Sequence, residues 1–168
     1  MSFLENVTQY LIEHELKLAT AESCTAGLMV SELARIPGSG QAIDCGLGVY
    51  SPEAKNRYLG VRYATIDNFG LTSEETSREM ALGALDNNHA DLAIANTGIA
   101  GPQPQGDIPV GTVCFAWAFR HAEKKYLYSE TRRFNGDRND VRLAAAHHAL
   151  ERVLYYHQAV LEGKAPPL

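Results

Sequence analysis

Apolar residues recur at helical spacing from the first turn of the chain. Leu4, Val7 and Leu11, followed by His14, fall on one stripe, which predicts an opening amphipathic helix. A short apolar run, Leu18-Ala19-Thr20-Ala21, reads as a buried strand. Thr25 to Arg35 reads as helix, with Leu28, Leu33 and Ile36 apolar, until Pro37-Gly38-Ser39-Gly40 breaks it. Ala42 to Tyr50 reads as a second strand. Ser51-Pro52-Glu53 supplies an N-cap hydroxyl, a proline at the first helical position and an acid in the first turn, so a helix is predicted from there to about Leu59, stopping at Gly60. Thr72-Ser73-Glu74-Glu75 has capping-box spacing and predicts a further helix through Met80, Ala84 and Leu85 to Asn87-Asn88. Asp91 to Asn96 is a third apolar strand, followed by a loop rich in proline and glycine. Val110 to Phe119 reads as a long strand, and Lys124 to Arg132 alternates as an edge strand does. A last helix is predicted from Asp137, with Val141, Leu150, Val153 and Leu154 inward, and the segment 163–168 is expected to fray.

Helices alternating with strands imply an α/β sheet covered on both faces. The last two strands are joined too closely for a crossover helix and should be antiparallel, which makes the sheet mixed. In open α/β sheets ligands collect beyond the carboxyl ends of the parallel strands, and three such ends here carry unusual polar residues.

Composition narrows the functional classes. At 168 residues the chain fits one domain, expected over 1–162, and its 45% hydrophobic and 21% charged residues are ordinary for a globular protein. A formal charge of −5 argues against a nucleic-acid partner, which would need a basic face built against the net field. No secretion signal or membrane-length apolar run is visible, so no membrane partner is expected. Cys24, Cys45 and Cys114 are odd in number and widely separated. That pattern points to a reducing, cytoplasmic setting and away from a disulfide framework or a metal site.

The first strand end is Ala21-Glu22-Ser23-Cys24-Thr25-Ala26-Gly27. A serine passing from strand to helix sits near free backbone N–H groups and the positive end of the helix dipole, donors suited to an oxyanion in acyl transfer. The competing reading is that Ser23 or Thr25 simply caps the helix; the small Ala26 and Gly27 favour close approach of a ligand. Cys24 is a rival nucleophile without an evident activating histidine, and reads as a packing thiol. The second end is Val49-Tyr50-Ser51-Pro52-Glu53-Ala54-Lys55. One turn into its helix, Lys55 can reach back to the strand end, where loss of water would lower its proton affinity and make it a base for a serine. Tyr50 could relay a proton or orient the pair; a solvated surface lysine is the alternative. The third end, Asn96-Thr97-Gly98-Ile99-Ala100-Gly101-Pro102, closed by Pro109-Val110-Gly111-Thr112, is a backbone-rich cradle for a phosphate or carbonyl, or a turn with no ligand. Arg138 and Arg142, one turn apart at a helix start, form either a phosphate clamp or ordinary surface charge.

These motifs, in this order and with Gly136-Asp137-Arg138 after them, resemble the CinA carboxy-terminal domain family over nearly the whole chain, from Ala21 to Leu150. The resemblance implies a three-layer α/β/α domain with a five-stranded mixed sheet, often a homo-oligomer. It also implies a nicotinamide-nucleotide amidase, a serine amidohydrolase that converts nicotinamide mononucleotide to nicotinic acid mononucleotide and ammonia with no metal or cofactor. Ser23 would then be the nucleophile, Lys55 the base and Tyr50 an assisting hydroxyl. The small-molecule nucleotide would be bound by the segment after Ser23 (Thr25, Ala26, Gly27), by Thr97, Gly98 and Gly101, and by Arg138 and Arg142. Three departures from the family pattern stand out: Ala26-Gly27 where the family usually has Gly-Gly, Gly40 where it often has serine, and a short loop over Gln103 to Ile108 without the usual lysine before Pro-Val-Gly. They raise an alternative, a pyridine-nucleotide-binding module of the same family that has lost its chemistry.

Overall fold

The computed structural model of the chain describes residues 1–164, so most of the segment expected to fray lies outside the described residues. Five strands form one sheet: β1 (Leu18–Glu22), β2 (Ile43–Gly48), β3 (Leu92–Gly98), β4 (Thr112–His121) and β5 (Lys124–Arg133), in the order β2-β1-β3-β4-β5. β1 pairs in parallel with β2 and β3, while β3-β4 and β4-β5 are antiparallel. The chain leaves β1 toward one side, then returns across it to form β3 on the other. The carboxyl end of β1 is therefore a switch point, flanked by the carboxyl ends of β2 and β3, and a crevice forms where the two connections diverge.

Alternation along the central strands decides which helices cover which face. Leu92, Ile94, Phe115, Trp117 and Phe119 point to one side, where they pack with α1 (Phe3–Glu13), α2 (Leu28–Ala34) and α6 (Arg138–Leu161). Trp117 is fully buried there, and its Nε1 donates to the Ala149 carbonyl at 2.9 Å. Ala21, Ala93, Ala95, Ala116 and Ala118 point to the other side, where the small side chains let α5 (Glu74–Asp86) lie close against the sheet, with α3 (Pro52–Leu59) beside it. The result is the three-layer α/β/α architecture with a five-stranded mixed sheet.

Besides shifts of one or two residues at the ends of β3 and β4, four features differ from the sequence reading. α2 begins at Leu28, not Thr25, because Ala26 (φ 48°) and Gly27 (φ 100°) take left-handed conformations that cannot continue a helix. The start of α5 is capped by Ser73, which accepts from Thr76 N, one residue beyond the predicted Thr72 box. β2 is shorter than predicted, ending at Gly48. The short α4 (Tyr63–Phe69) went unseen because its N-cap, Arg62, makes no side-chain capping bond and its seven residues leave too little periodicity to read.

α5 and α3 approach through Gly83, where an added Cβ would stand 2.0 Å from the Leu59 carbonyl oxygen. Helix propensity favours alanine over glycine by about 0.5–1 kcal/mol, but backbone has to move to admit it, and overpacking of that kind costs about 1–3 kcal/mol. Gly83→Ala is therefore expected to be destabilising, lowering the urea midpoint with an unchanged slope; a raised midpoint would show that the helices separate freely.

Candidate active site

The site is assembled at the switch point from three strand ends. After β1 the chain turns at Ser23, which is 8% exposed, and its N–H donates to the Asn96 carbonyl at 3.2 Å. After β2, Ser51 caps α3 by accepting from Ala54 N at 3.0 Å, with Pro52 in the first turn. That cap fixes the direction of α3 and places Lys55 one turn in, with its side chain folded back under the strand end. Lys55 is 1% exposed, and its Nζ lies 3.1 Å from Ser23 Oγ and 2.9 Å from each of the carbonyl oxygens of Val49 and Tyr50. Burial away from water pushes its pKa down to about 8.

Lys55 and Ser23 line a small cavity of about 150 Å³ with Cys24, Tyr50, Leu71, Thr72, Thr97, Gly98 and Gln105. A second cavity of about 270 Å³ adjoins it, sharing Cys24, Tyr50, Gly98 and Gln105 and adding Ile99, Gly101 and Arg138. Arg138 is the one cationic side chain of that second lining, which holds no carboxylate. Its guanidinium donates to the Gly101 carbonyl and, at 3.1 Å, to the Tyr50 hydroxyl. Tyr50 thus meets the pair differently from the sequence expectation. Its backbone carbonyl holds the lysine, while its exposed ring and hydroxyl turn to Arg138 and stand between the two cavities.

Four of the expected ligand-contacting residues lie elsewhere. Thr25 is fully buried, its hydroxyl donating to Glu22 Oε1 at 2.6 Å and accepting from Asn96 Nδ2 at 2.8 Å. Ala26 and Gly27 belong to the turn behind the serine and line neither cavity. Arg142 donates from Nε to the Cys24 carbonyl at 2.9 Å and from Nη2 to the Thr25 carbonyl at 3.1 Å, so it braces the turn from below and is not part of an anion clamp. The reason is a residue that sequence reasoning passed over. Glu22 is fully buried, and its carboxylate accepts from the N–H groups of Gly27, Met29 and Val30 and from the hydroxyls of Thr20 and Thr25. The start of α2 is already filled by an internal anion. The signal for it in the sequence was a glutamate closing an apolar strand, directly before a helix lacking an acid in its first turn.

The family departures sort by location. Gly40 sits in a short 3-10 turn, its carbonyl accepting from Lys17 Nζ at 3.2 Å, next to the start of β1 and β2, so it is at the opposite end of those strands from Ser23. Ala26 is exposed and crowds nothing in the cavities. The short loop does reach the site, through Gln103, Pro104 and Gln105.

The CinA C-terminal domain profile matches residues 1–156. The chain belongs to the CinA C-terminal domain family. This CinA-family chain is 39% identical over 159 residues to a CinA-like protein of Chlorobium limicola, a match covering 94% of the chain and 37% of that relative. A CinA-like protein of Chlorobaculum tepidum is 41% identical, covering 89% of the chain and 36% of its own length. The CinA-family chain thus spans about a third of the curated relatives it matches. Among solved structures, the competence or damage-inducible protein from Enterobacter asburiae superposes with a TM-score of 0.85 at 39% identity, over 92% of this chain and 95% of that one. The CinA superfamily protein from Escherichia coli gives 0.82 at 35% identity, over 90% and 88%. Among the described residues no helix is long and apolar enough to cross a membrane.

The geometry also separates the two nucleophile candidates. Cys24 is 4% exposed, its Sγ faces Asn96 Oδ1 at 3.6 Å, and burial pushes its pKa up to about 12. Iodoacetamide at pH 7.5 is expected to leave Cys24 unmodified in the folded protein and to alkylate it in 8 M urea (a denaturing condition of order several molar), as read by peptide mass spectrometry. Rapid alkylation of Cys24 in the native state would restore it as a nucleophile.

Proposed function

We propose that this domain is a serine amidohydrolase acting on the carboxamide of nicotinamide mononucleotide, with Ser23 as nucleophile and Lys55 as general base. The observation that carries the reading is the buried contact of 3.1 Å between Lys55 Nζ and Ser23 Oγ at the wall of a cavity. A neutral amine has two N–H groups and one lone pair. Here two carbonyls, those of Val49 and Tyr50, take the two N–H groups, and the remaining tetrahedral direction is left for the serine hydroxyl. The environment that draws the pKa down to about 8 is the one that makes the lysine a competent base near neutral pH.

In the first half-reaction Ser23 Oγ attacks the amide carbon while Lys55 takes the hydroxyl proton, and the carbonyl electron pair moves onto oxygen. Collapse breaks the C–N bond, and the proton held by Lys55 leaves with the amide nitrogen as ammonia. Water, deprotonated by the same amine, then attacks the acyl-serine and releases the carboxylate. The small cavity suits the pyridine carboxamide, and the adjoining one, with Arg138 and the Gly98–Gly101 backbone, suits the ribose phosphate. Fixing the phosphate there orients the amide against Ser23 and can lower the barrier by several kcal/mol, about 7 or more in the best-oriented cases. The residues that line the two cavities favour this over a module without chemistry, because the Gly40 departure does not reach Ser23 or Lys55. A cytoplasmic location and a homo-oligomeric assembly fit this reading of the domain.

The purified protein is expected to release ammonia from nicotinamide mononucleotide, and Ser23→Ala to reduce that release to background; turnover surviving in Ser23→Ala would remove the nucleophile. Lys55→Met should lower kcat by about 10²-fold or more with little change in KM, since it deletes a base and no substrate contact. A rise in KM at constant kcat would instead make Lys55 a substrate ligand. Because the active form of Lys55 is the neutral one, kcat/KM should rise with pH through an inflection near 8 and level above it. A profile flat from pH 6 to 10 would contradict its role as base.

A further inference from the structure

The site needs a donor for the oxyanion formed when Ser23 attacks, and the arrangement around Ser23 narrows where that donor is. The N–H groups of Gly27, Met29 and Val30 all point into the Glu22 carboxylate. The start of α2 therefore has nothing left to offer a substrate, although a serine at the end of a strand invites that expectation. The N–H of Ser23 itself is directed to Asn96, to the carbonyl at 3.2 Å and to Oδ1 at 3.4 Å. The next two N–H groups in the chain, those of Cys24 and Thr25, donate to no other residue among the described ones, the first having only its own sulfur beside it. Of the two, Cys24 lines both cavities with its thiol turned to Asn96, whereas Thr25 is fully buried and lines neither, so the Cys24 N–H is the one beside the crevice. In α/β-hydrolases, whose nucleophile also sits on a strand-to-helix turn, the N–H of the residue after it is one of the oxyanion donors.

Resting on the amidohydrolase reading above, we propose that the Cys24 N–H is the oxyanion donor and that Glu22, Thr25 and Arg142 are positioning residues that aim it. Three constraints meet on this short turn. Glu22 draws the Thr25 hydroxyl and the N–H groups at the start of α2 toward itself. Asn96 on β3 ties the Thr25 hydroxyl at 2.8 Å. From the far side, Arg142 holds the carbonyls of Cys24 and Thr25, at 2.9 and 3.1 Å, and so sets the planes of the two peptides that follow Cys24 and Thr25. The N–H of Cys24 belongs to the peptide before these, and its direction follows from a turn pinned by hydrogen bonds at Ser23, Cys24 and Thr25 in succession. Glu22 thus has two effects: it removes the donors at the start of α2, and it makes the one beside the crevice rigid before substrate arrives, which is the condition for electrostatic stabilisation without reorganisation.

The test uses a reagent that reports on Ser23 without depending on the nicotinamide substrate. An ethyl alkylfluorophosphonate is attacked by Ser23 Oγ, a P–O bond forms, fluoride leaves, Lys55 takes the proton, and the phosphoryl oxygen occupies the oxyanion position as the bond forms. Labelling rates are read by intact mass, with the site located by peptide mass spectrometry. The wild-type protein is expected to be labelled on Ser23. Thr25→Val, which loses the hydroxyl and keeps the shape, should slow labelling about tenfold or more, as should Arg142→Met, against the 10²–10³-fold that deleting a donor outright costs. Thr25→Ser, which keeps the hydroxyl and loses the methyl, should stay within about threefold of wild type, an ordering that a packing role for Thr25 would reverse. Glu22→Gln should also be slow, but it strips an acceptor from the start of α2, so the Thr25 pair decides. Labelling of Thr25→Val at the rate of Thr25→Ser, or no labelling of wild-type Ser23, overturns the proposal. Normal labelling with this ordering but no ammonia from nicotinamide mononucleotide overturns the substrate assignment alone.

Discussion

Moving the Lys55 amine out of water requires that something replace its hydration shell, and three oxygens do so: Ser23 Oγ and the carbonyls of Val49 and Tyr50. No carboxylate is among them. Dipoles solvate the amine without neutralising it, so the charged form is under-compensated and the pKa falls to about 8. A carboxylate in place of either carbonyl would hold the lysine protonated and useless as a base. The separation of charges at this edge of the sheet is consistent with that need. The buried carboxylate nearby, Glu22, is directed to five donors on its own side of the turn. Glu22, the residue before Ser23, and Lys55, in contact with its hydroxyl, thus each have partners other than one another.

How much of this could be read from the chain depended on whether a residue's partner was local. The helix start at Ser51-Pro52 was legible because cap, proline and acid are adjacent, and Lys55 followed from it by one turn of spacing. The central strands were legible as apolar runs, while the alternation of small and large side chains that sorts their two faces emerged only with the fold. What was not legible were partners distant in sequence. Thr25 looks like an N-cap because threonine before an apolar run usually is one. Here its hydroxyl donates to Glu22 instead of accepting from the helix, and the cap is made by the glutamate at the end of the strand. Arg138 and Arg142 share a helix face, which suggested a shared role. The long-range fold separates them: the first reaches Gly101 and Tyr50, the second the carbonyls of Cys24 and Thr25, more than a hundred residues away in sequence.

The two halves of the sheet differ in what they contribute. The parallel strands β1, β2 and β3 end in polar turns, and their carboxyl ends carry Ser23, the Val49–Lys55 connection and Thr97. The antiparallel pair β4-β5 presents Phe115, Trp117 and Phe119 to α6 and forms the apolar layer that holds this long helix in place. The connection between the halves is α6 itself. Its first two turns reach the site with Arg138 and Arg142, while Val141, between them, is fully buried in the core. The packing of Val141, Ala145 and Leu150 against the sheet therefore places two arginines, one at the second cavity and one at the serine turn. A substitution deep in that layer that tilts the helix should be felt at Arg138 and Arg142 together, since their backbone belongs to the same helix start. For the same reason the presence of one arginine and no carboxylate in the second cavity's lining, on a chain whose formal charge is −5, is a matter of helix placement more than of composition.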